Sequence, residues 1–334
     1  MKRSFKILWI IIGCLFVGGV ITGVVGFAMV DFQPERIEGE ETSLKNYDVK
    51  MDPAKTKEII VDVSCKHVCV QFTESNTFSI VYDENRKYPL TIREEEPVLE
   101  LTQAKKQNWY DFLTLWPHHE TVNLLVPNTF TGILNIKTEN GGIQVMDGKS
   151  LKKMKKLECR TKNATISLSD LQNIEALDCE TSNSKIEMRY VAVSSDVHLK
   201  TTNGALHVEN ANVQGLLEGE TSNGKLSVRS VEAKNCSLET ANASLTLEDL
   251  NVSQALTAKT SNGSLSLQHL AGEEIVLRSS NGKISGTIAG KQEDYRIESH
   301  TSNATNSLPE NKATGTKLLK AETSNGDINV TFTA

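Results

Sequence analysis

The chain has 334 residues, of which 38% are apolar and 23% are charged, so it is long enough and apolar enough to fold around a core. Its 36 basic and 42 acidic residues give a formal net charge of −6. Because phosphate binding requires a basic surface, this balance argues against nucleic acid as a partner.

The chain begins with a predicted membrane anchor. Ile7 to Val30 is an uncharged run of 24 residues, and about 20 apolar residues suffice to cross a bilayer as a helix. Lys2, Arg3 and Lys6 precede this run, and an acidic segment follows it. The charge bias predicts a single-pass cell-membrane protein with a cytoplasmic N-terminus and an extracellular C-terminal domain.

Two alternatives to the anchor remain open. Gly26-Phe27-Ala28 could be a signal-peptide cleavage site, although the apolar run is longer than the usual signal core. Ile11 to Cys14 loosely resembles a lipobox, but apolar residues continue after Cys14 where a lipoprotein would have a polar tether. The anchor is the favoured interpretation.

Two further segments precede the most regular part of the sequence. Residues 31–54 are polar and acidic and predict a stalk, which leaves residues 1–30 as the cytoplasmic stub and anchor. Residues 55–135 contain strand-like runs without the later repeat. We interpret them as a β cap that covers the first edge of the repeat domain, residues 136–334.

The domain at 136–334 is defined by a repeated phrase such as TSNGSLSL, residues 260–267. Its asparagines recur every 19 to 23 residues, a period typical of a solenoid. We expect them to form a turn ladder along the rod. They are Asn140, Asn163, Asn183, Asn203, Asn223, Asn242, Asn262, Asn281, Asn303 and Asn325.

Apolar residues alternate with polar ones on both sides of each asparagine. With the Asn as position 0, position −6 is apolar in every unit, position −2 is Thr or Ser, and position +3 is Ile or Leu except at Asn306. This period of two predicts two strands per unit, joined at the Asn by a tight turn. Two strands and two turns use about 20 residues, which leaves no room for a helix.

The predicted fold is therefore all-β: a single-chain parallel β-solenoid of about ten 20-residue rungs, preceded by one N-terminal transmembrane helix. At a strand spacing of ~4.8 Å the rod would be roughly 50 Å long. Cys159, Cys179 and Cys236 occupy inward positions of this pattern and are expected to be buried thiols. A disulfide between neighbouring rungs is the alternative.

Residues 121–145, TVNLLVPNTFTGILNIKTENGGIQV, and the TSNG series after them resemble a bacterial domain family. This is the putative-adhesin or toastrack domain of LiaG-like and YvlB-like envelope proteins, and the likeness covers about residues 55–334. The resemblance implies a single-sheeted β-solenoid outside a bacterial, Gram-positive membrane, linked to envelope-stress systems. It brings no catalytic residues and no cofactor. The chain departs from the family pattern at Asn303 to Leu319.

Two surfaces are candidates for contact with a partner. The first is the aromatic set Trp109, Tyr110 and Trp116, which could grip a sugar, a protein or the membrane, or could simply close the solenoid end. His118 and His119 beside them are weak evidence for a metal, so none is predicted.

The second candidate is a face formed by positions +2 and +4, which are small and mostly neutral, whereas positions −5 and −3 are charged. Such a face could lie against glycan or a partner sheet, or could consist of ordinary solvent-facing strand residues. Its residues are Thr165, Ser167, Lys225, Ser227, Ser244, Thr246, Ser264, Ser266, Lys283 and Ser285.

Catalysis is not expected, because the corners of the repeat are too short to gather carboxylates in a groove and no nucleophile or phosphate-loop motif is present. The leading hypothesis is a non-enzymatic scaffold or interaction module at the bacterial envelope, with envelope stress as the setting that the resemblance implies. The alternative is an adhesin that binds cell-wall or host glycan through the Ser/Thr face.

Overall fold

The computed structural model describes residues 42–85, 88–103 and 120–333. The predicted anchor Ile7 to Val30 lies outside these ranges. Within them, no helix has the length and apolar character needed to cross a membrane. The 22 strands of the described ranges join in one continuous sheet that winds around a single apolar core.

The first strands are β1 Thr42–Asp48, β2 Glu58–Val63, β3 His67–Thr73, β4 Ser79–Asn85, β5 Leu90–Glu95, β6 Val98–Gln103, β7 Thr121–Pro127, β8 Ile133–Thr138 and β9 Ile143–Met146. The regular coils follow as β10 Met154–Arg160, β11 Ile166–Thr181, β12 Ile186–Val193, β13 Val197–Thr201, β14 Leu206–Thr221, β15 Leu226–Thr240, β16 Leu245–Thr260 and β17 Leu265–Ser279. The last elements are β18 Ile284–Ala289, a 3-10 turn at Gln292–Asp294, β19 Tyr295–Thr301, β20 Asn311–Lys312, β21 Lys317–Thr323 and β22 Ile328–Thr333.

The all-β parallel solenoid predicted from the repeat is confirmed, with each coil stacked in parallel register on its neighbour. Leu206 pairs with Leu226, and Leu217 pairs with Cys236, one repeat further along the chain. Residues at equivalent repeat positions therefore stack into columns along the rod, and the apolar residues of the inward columns are buried. Burial of these columns from water stabilises the rod, at about 25 cal/mol per Å² of apolar surface.

The seven coils from Asn140 to Asn262 have three sides, so the prediction of two strands per unit was wrong for them. In the coil of Asn203, the first side is Val197–Thr201, the second side is Leu206–Glu209 and the third side is Ala211–Val213. The bend between the second and third sides lies at position +7, where the residue has a positive φ. This bend breaks the alternation and starts a new inward pair at positions +8 and +10, which the period-two pattern does not reveal.

The bend residues form a column of their own, and most are Asp, Asn, Ser or His, which tolerate the left-handed conformation better than branched or bulky residues do. They are Asp147, Asp170, Tyr190, Asn210, Ser230, Asp249 and His269, with φ from 49° to 63°.

Near the N-terminal end, the order of coils along the rod differs from their order in the sequence. Strand β2 pairs in parallel with both β6 and β8, and β3 pairs in parallel with both β7 and β9. The layer made of β2 and β3 therefore lies between two later layers. The predicted cap region 55–135 thus contains parallel solenoid layers in addition to antiparallel edge strands.

The C-terminal end shows the same rearrangement. Strand β21 pairs with β17 on one side and with β19 on the other, so the coil of Asn325 lies between those of Asn281 and Asn303. The coil of Asn303 is the outermost one, and β20 covers part of its edge in antiparallel orientation. The irregular sequence between Asn303 and Leu319 allows the chain to pass around this outer coil.

Part of the predicted stalk is folded. Strand β1 pairs antiparallel with β4, and β4 in turn pairs antiparallel with β7. Val49 and Met51, just after β1, are buried in the core. The described part of residues 31–54 therefore belongs to the solenoid end, where it covers a strand edge that would otherwise be open to other chains.

Candidate functional site

The Asn corner joins the first and second sides of each coil, and its asparagines form a continuous ladder. Each side-chain amide donates to the carboxamide oxygen of the neighbouring coil, and the ten asparagines are joined by nine bonds of 2.7 or 2.8 Å. All donors point toward the same end of the rod, where Asn140 faces the thiol of Cys65 at 3.7 Å. The ladder holds neighbouring corners in register.

The threonine at position −2 supports the same corner from inside. Thr221 Oγ1 accepts a bond from the Gly224 N–H at 3.1 Å and donates to the Gly204 carbonyl of the previous coil at 3.0 Å. Thr240 makes the equivalent donor bond to Gly224. Because these buried hydroxyls bond both within and between coils, the TSNG phrase is explained by structure alone.

The predicted Ser/Thr face lies on the second side. Ser227, Thr246, Ser266 and Ser285 follow one another in register at position +4, and their hydroxyls have no hydrogen-bond partner in the described protein. The hydroxyls of Ser244 and Ser264 instead accept bonds from main-chain N–H groups of the next coil at 3.3 Å. The position +4 hydroxyls are therefore the ones available to a ligand.

Charged residues divide this face into two parts. In the coils of Asn183 and Asn203, positions +2 and +4 of this face are occupied by Lys185, Glu187 and His207 instead of small residues. Lys185 Nζ contacts Glu187 Oε1 at 2.7 Å. This hydrogen bond lowers the pKa of Glu187. Thr165 and Ser167 lie on one side of the charged coils, and the other eight face residues, from Lys225 to Ser285, lie on the other.

Thr165 and Ser167 line a shallow groove of about 540 Å³ near the N-terminal end of the second side. His67 and Cys69 of β3 also line it, and neither was singled out as a candidate from the sequence. His67 Nδ1 accepts a bond from the Gly142 N–H at 3.0 Å, and burial raises the pKa of the Cys69 thiol. The signal that could have found them is the alternation in VSCKHVCV, residues 63–70, which matches that of TENGGIQV, residues 138–145.

The first side carries charges that pair with one another across coils. Lys200 contacts Glu220 at 2.8 Å, and this bond raises the pKa of Lys200. Arg160 reaches Asp178 at 3.1 Å, and Arg278 reaches Glu322 at 2.9 Å. Exposed pairs of this kind add little stability, and they leave the first side with much of its charge internally matched.

The aromatic candidates Trp109, Tyr110 and Trp116 lie outside the described residues, as do His118 and His119. In the described ranges, no group of three or more His, Cys, Asp or Glu residues is arranged to hold a metal ion.

The described cysteines are free thiols. Cys159 and Cys179 are buried as in-register neighbours, and Cys236 is buried in the column of Leu217 and Leu256. The hydrogen bond with Cys159, together with burial, raises the pKa of Cys179, so the Cys179 thiol is a poor nucleophile. The three buried cysteines act as small apolar core residues.

A three-sided parallel β-solenoid with laddered Asn corners and open outer faces defines a class of repeat proteins that present long, regular surfaces. The sequence model of one family, Toastrack DUF4097, matches residues 56–220 and 196–334. These matches together cover more than half of the chain, so the protein belongs to the Toastrack DUF4097 family.

Several solved structures are distantly similar. A putative adhesin from Parabacteroides merdae is 12% identical, with a TM-score of 0.41 over 88% of this chain and 97% of that one. A putative cell adhesion protein from Clostridium sporogenes is also 12% identical, with a TM-score of 0.27 over 88% of this chain and 100% of that one. No curated protein matches the chain.

Proposed function

We propose that the protein is a non-enzymatic interaction module, anchored in a bacterial cell membrane by Ile7 to Val30, whose solenoid serves as a scaffold outside the cell. The observation that carries this proposal is the column Ser227, Thr246, Ser266 and Ser285, whose unpartnered hydroxyls follow one another at the strand spacing. A rigid row of hydroxyls at ~4.8 Å intervals suits an extended partner that repeats on the same scale.

The partner of the scaffold is proposed to be an envelope protein, and an envelope-stress system is the regulatory setting that the family resemblance suggests. The second candidate is cell-wall glycan bound through the same face. Lys225 and Lys283 lie beside the hydroxyl column, and the Asp327 carboxylate of the neighbouring coil offsets part of the charge of Lys283. The remaining positive charge favours a partner with acidic groups.

Capture by immobilised full-length protein tests the proposal. Purified cell wall and solubilised membrane from the host are offered to the wild type and to the double variant Thr246→Arg, Ser266→Arg. Both residues are exposed, so the arginines should be tolerated by the fold. The proposal predicts that one fraction is retained by the wild type and lost by the variant, whereas the control variant Glu239→Arg on the first side retains it.

Location is tested separately with a membrane-impermeant maleimide on intact cells. Ser266→Cys, in a chain whose half-buried Cys65 and Cys69 are replaced by Ser, should be labelled without lysis. Buried Cys159, Cys179 and Cys236 should remain unlabelled in the same experiment. Labelling of Ser266→Cys only after lysis would contradict the proposed orientation.

A further inference from the structure

The third side carries a groove of about 740 Å³ that is distinct from the Ser/Thr face. Its lining extends from the coil of Gln172 to that of Asn251, which is five coils or roughly 19 Å at the parallel-strand spacing. The volume falls within the range of about 300 to 1,000 Å³ that is typical of small-molecule sites. Its length along the rod suits a linear chain.

Tyr190 lies in this groove in a conformation that is unfavourable for its side chain. It has a φ of 55° at a bend position that Asp, Asn, Ser or His occupies in the six other coils with this bend. Its side chain is 54% exposed, and it is one of two large hydrophobic residues strongly exposed in the described ranges. Neither packing nor backbone geometry accounts for an aromatic ring here, and a bulky residue held in a strained conformation points to a role in binding.

Tyr190 shares the groove lining with residues of different size. Ala192 is in register with Asn212, and Asn212 is in register with Glu232. In this outward column the methyl group of Ala192 occupies less of the groove than the longer side chains of the next two coils do.

The groove is rich in amide groups that the protein leaves unused. Gln172, Asn210, Gln214 and Asn251 line it, and their side chains have no hydrogen-bond partner in the described protein. The asparagines of the corner ladder, in contrast, bond from coil to coil. Carboxamides both donate and accept, which matches the alternating demands of sugar hydroxyls.

The charge of the groove lining indicates which ligands the groove can accept. Glu232 and Asp249 line the groove, and none of its lining residues is Lys or Arg. Acidic polysaccharides and phosphate-bearing polymers would be repelled. We infer that the third-side groove around Tyr190 binds an uncharged linear glycan, with the Tyr190 ring stacked on a sugar face and the neighbouring carboxamides bonded to hydroxyl or N-acetyl groups. Such binding does not require the partner proposed for the second side.

Titration calorimetry on the full-length protein in mild detergent tests this site with two neutral probes, chitohexaose and cellohexaose, and one anionic probe, hexagalacturonate. We expect at least one neutral probe to bind and hexagalacturonate to bind at least tenfold more weakly. Failure of both neutral probes to bind at millimolar concentration would overturn the inference. Equal or tighter binding of hexagalacturonate would overturn it as well.

Variants separate binding from folding. Tyr190→Asn places at the bend a residue that suits it, so we expect an unchanged or higher melting temperature together with at least a tenfold loss of affinity. Tyr190→Phe keeps the ring and should stay within about threefold of the wild type. His269→Asn changes the same bend column outside the groove and should leave affinity unchanged. Wild-type affinity in Tyr190→Asn, or equal losses in Tyr190→Asn and His269→Asn, would contradict the assignment.

Discussion

The side-chain amide of Asn183 donates to the carboxamide oxygen of Asn163 across two neighbouring coils at 2.7 Å. The same relationship repeats along the Asn corner, so each internal asparagine is both a donor and an acceptor. Loss of one member interrupts the ladder at two bonds, whereas loss of a neighbouring corner side chain interrupts none.

Asn223→Ala should therefore destabilise the solenoid measurably. It removes the bond to Asn203 at 2.8 Å and the bond from Asn242 at 2.7 Å. At about 1 kcal/mol per bond, the free energy of unfolding should fall by roughly 1 to 2 kcal/mol in urea denaturation. Ser222→Ala, at the same corner, should change it by less than about 0.5 kcal/mol. Equal stability of the two variants would show that the ladder is not a stabilising feature.

Lys66 is fully buried and lies in the column of Gly141, the small residue that follows the corner Asn140. Its ammonium group contacts Glu120 at 2.7 Å and the Asp83 carbonyl. Lys66→Met leaves Glu120 without its counter-ion and should cost about 3 kcal/mol or more in the free energy of unfolding. The double variant Lys66→Met, Glu120→Gln should cost less than the sum of its single variants, by at least about 1 kcal/mol.

Lys162→Met is the matched control for Lys66, since it breaks the exposed contact with Glu139 at 2.9 Å. Its effect on unfolding should stay below about 1 kcal/mol. Additive costs at Lys66 and Glu120 would mean that the two groups are not coupled in the folded protein.

The order of the C-terminal coils can be tested by engineered disulfides. Arg278 pairs with Glu322, and Glu322 pairs with His300, so the coil of Glu322 separates the other two. In-register parallel neighbours are close enough to bridge, at about 4.8 Å, whereas residues two coils apart are not.

Oxidation should therefore cross-link Arg278→Cys, Glu322→Cys but not Arg278→Cys, His300→Cys. Both are made with Cys65 and Cys69 replaced by Ser, and the products are read by mass spectrometry after proteolysis. The opposite pairing would show that the coils stack in their sequence order.

The burial of the Cys236 thiol should make the folded protein less stable at alkaline pH. Burial raises the pKa of its thiol from 9.0 to about 12, so the folded protein keeps a proton that the unfolded chain releases above pH 9. The stabilisation that comes from keeping the Cys236 thiol neutral in the core is fully present below pH 9 and is lost as the pH rises toward 12. By pH 10, the free energy of unfolding should have fallen by about 1.4 kcal/mol relative to pH 7 from this group.

Cys236→Val keeps an apolar residue in the column and should show a shallower decline between pH 7 and 10 than the wild type, by about that amount, in urea denaturation. The comparison cancels the titration of the other groups. Parallel declines in the two proteins would contradict the burial argument.

The coil length, the inward columns and the Asn corner could be predicted from the sequence because they depend on local spacing. Asn203 and Asn223 are 20 residues apart, and their flanking apolar residues alternate without a break. The third side could not be predicted from strict alternation, since the bend at position +7 shifts the pattern by one residue before Val191 and Val193. An explicit comparison of positions +8 and +10 across the units would have revealed it.

The order of coils at the two ends was not predictable from periodicity. Strand pairing between β2 and β8 joins segments separated by more than one coil, and any coil of this repeat presents the same columns to a neighbour. The period alone also does not reveal which hydroxyls of the candidate face bond to the main chain, as those of Ser244 and Ser264 do.

Site-directed photocross-linking in living cells shows whether the second side contacts an envelope partner. A benzoylphenylalanine is placed at Thr246 or Ser266 on the second side, or at Glu239, an exposed residue on the first side of a neighbouring coil. If the second side is the contact surface, a discrete adduct should form from Thr246 and Ser266 and none from Glu239. Adducts of equal yield at all three positions, or none at Thr246 and Ser266, would contradict it.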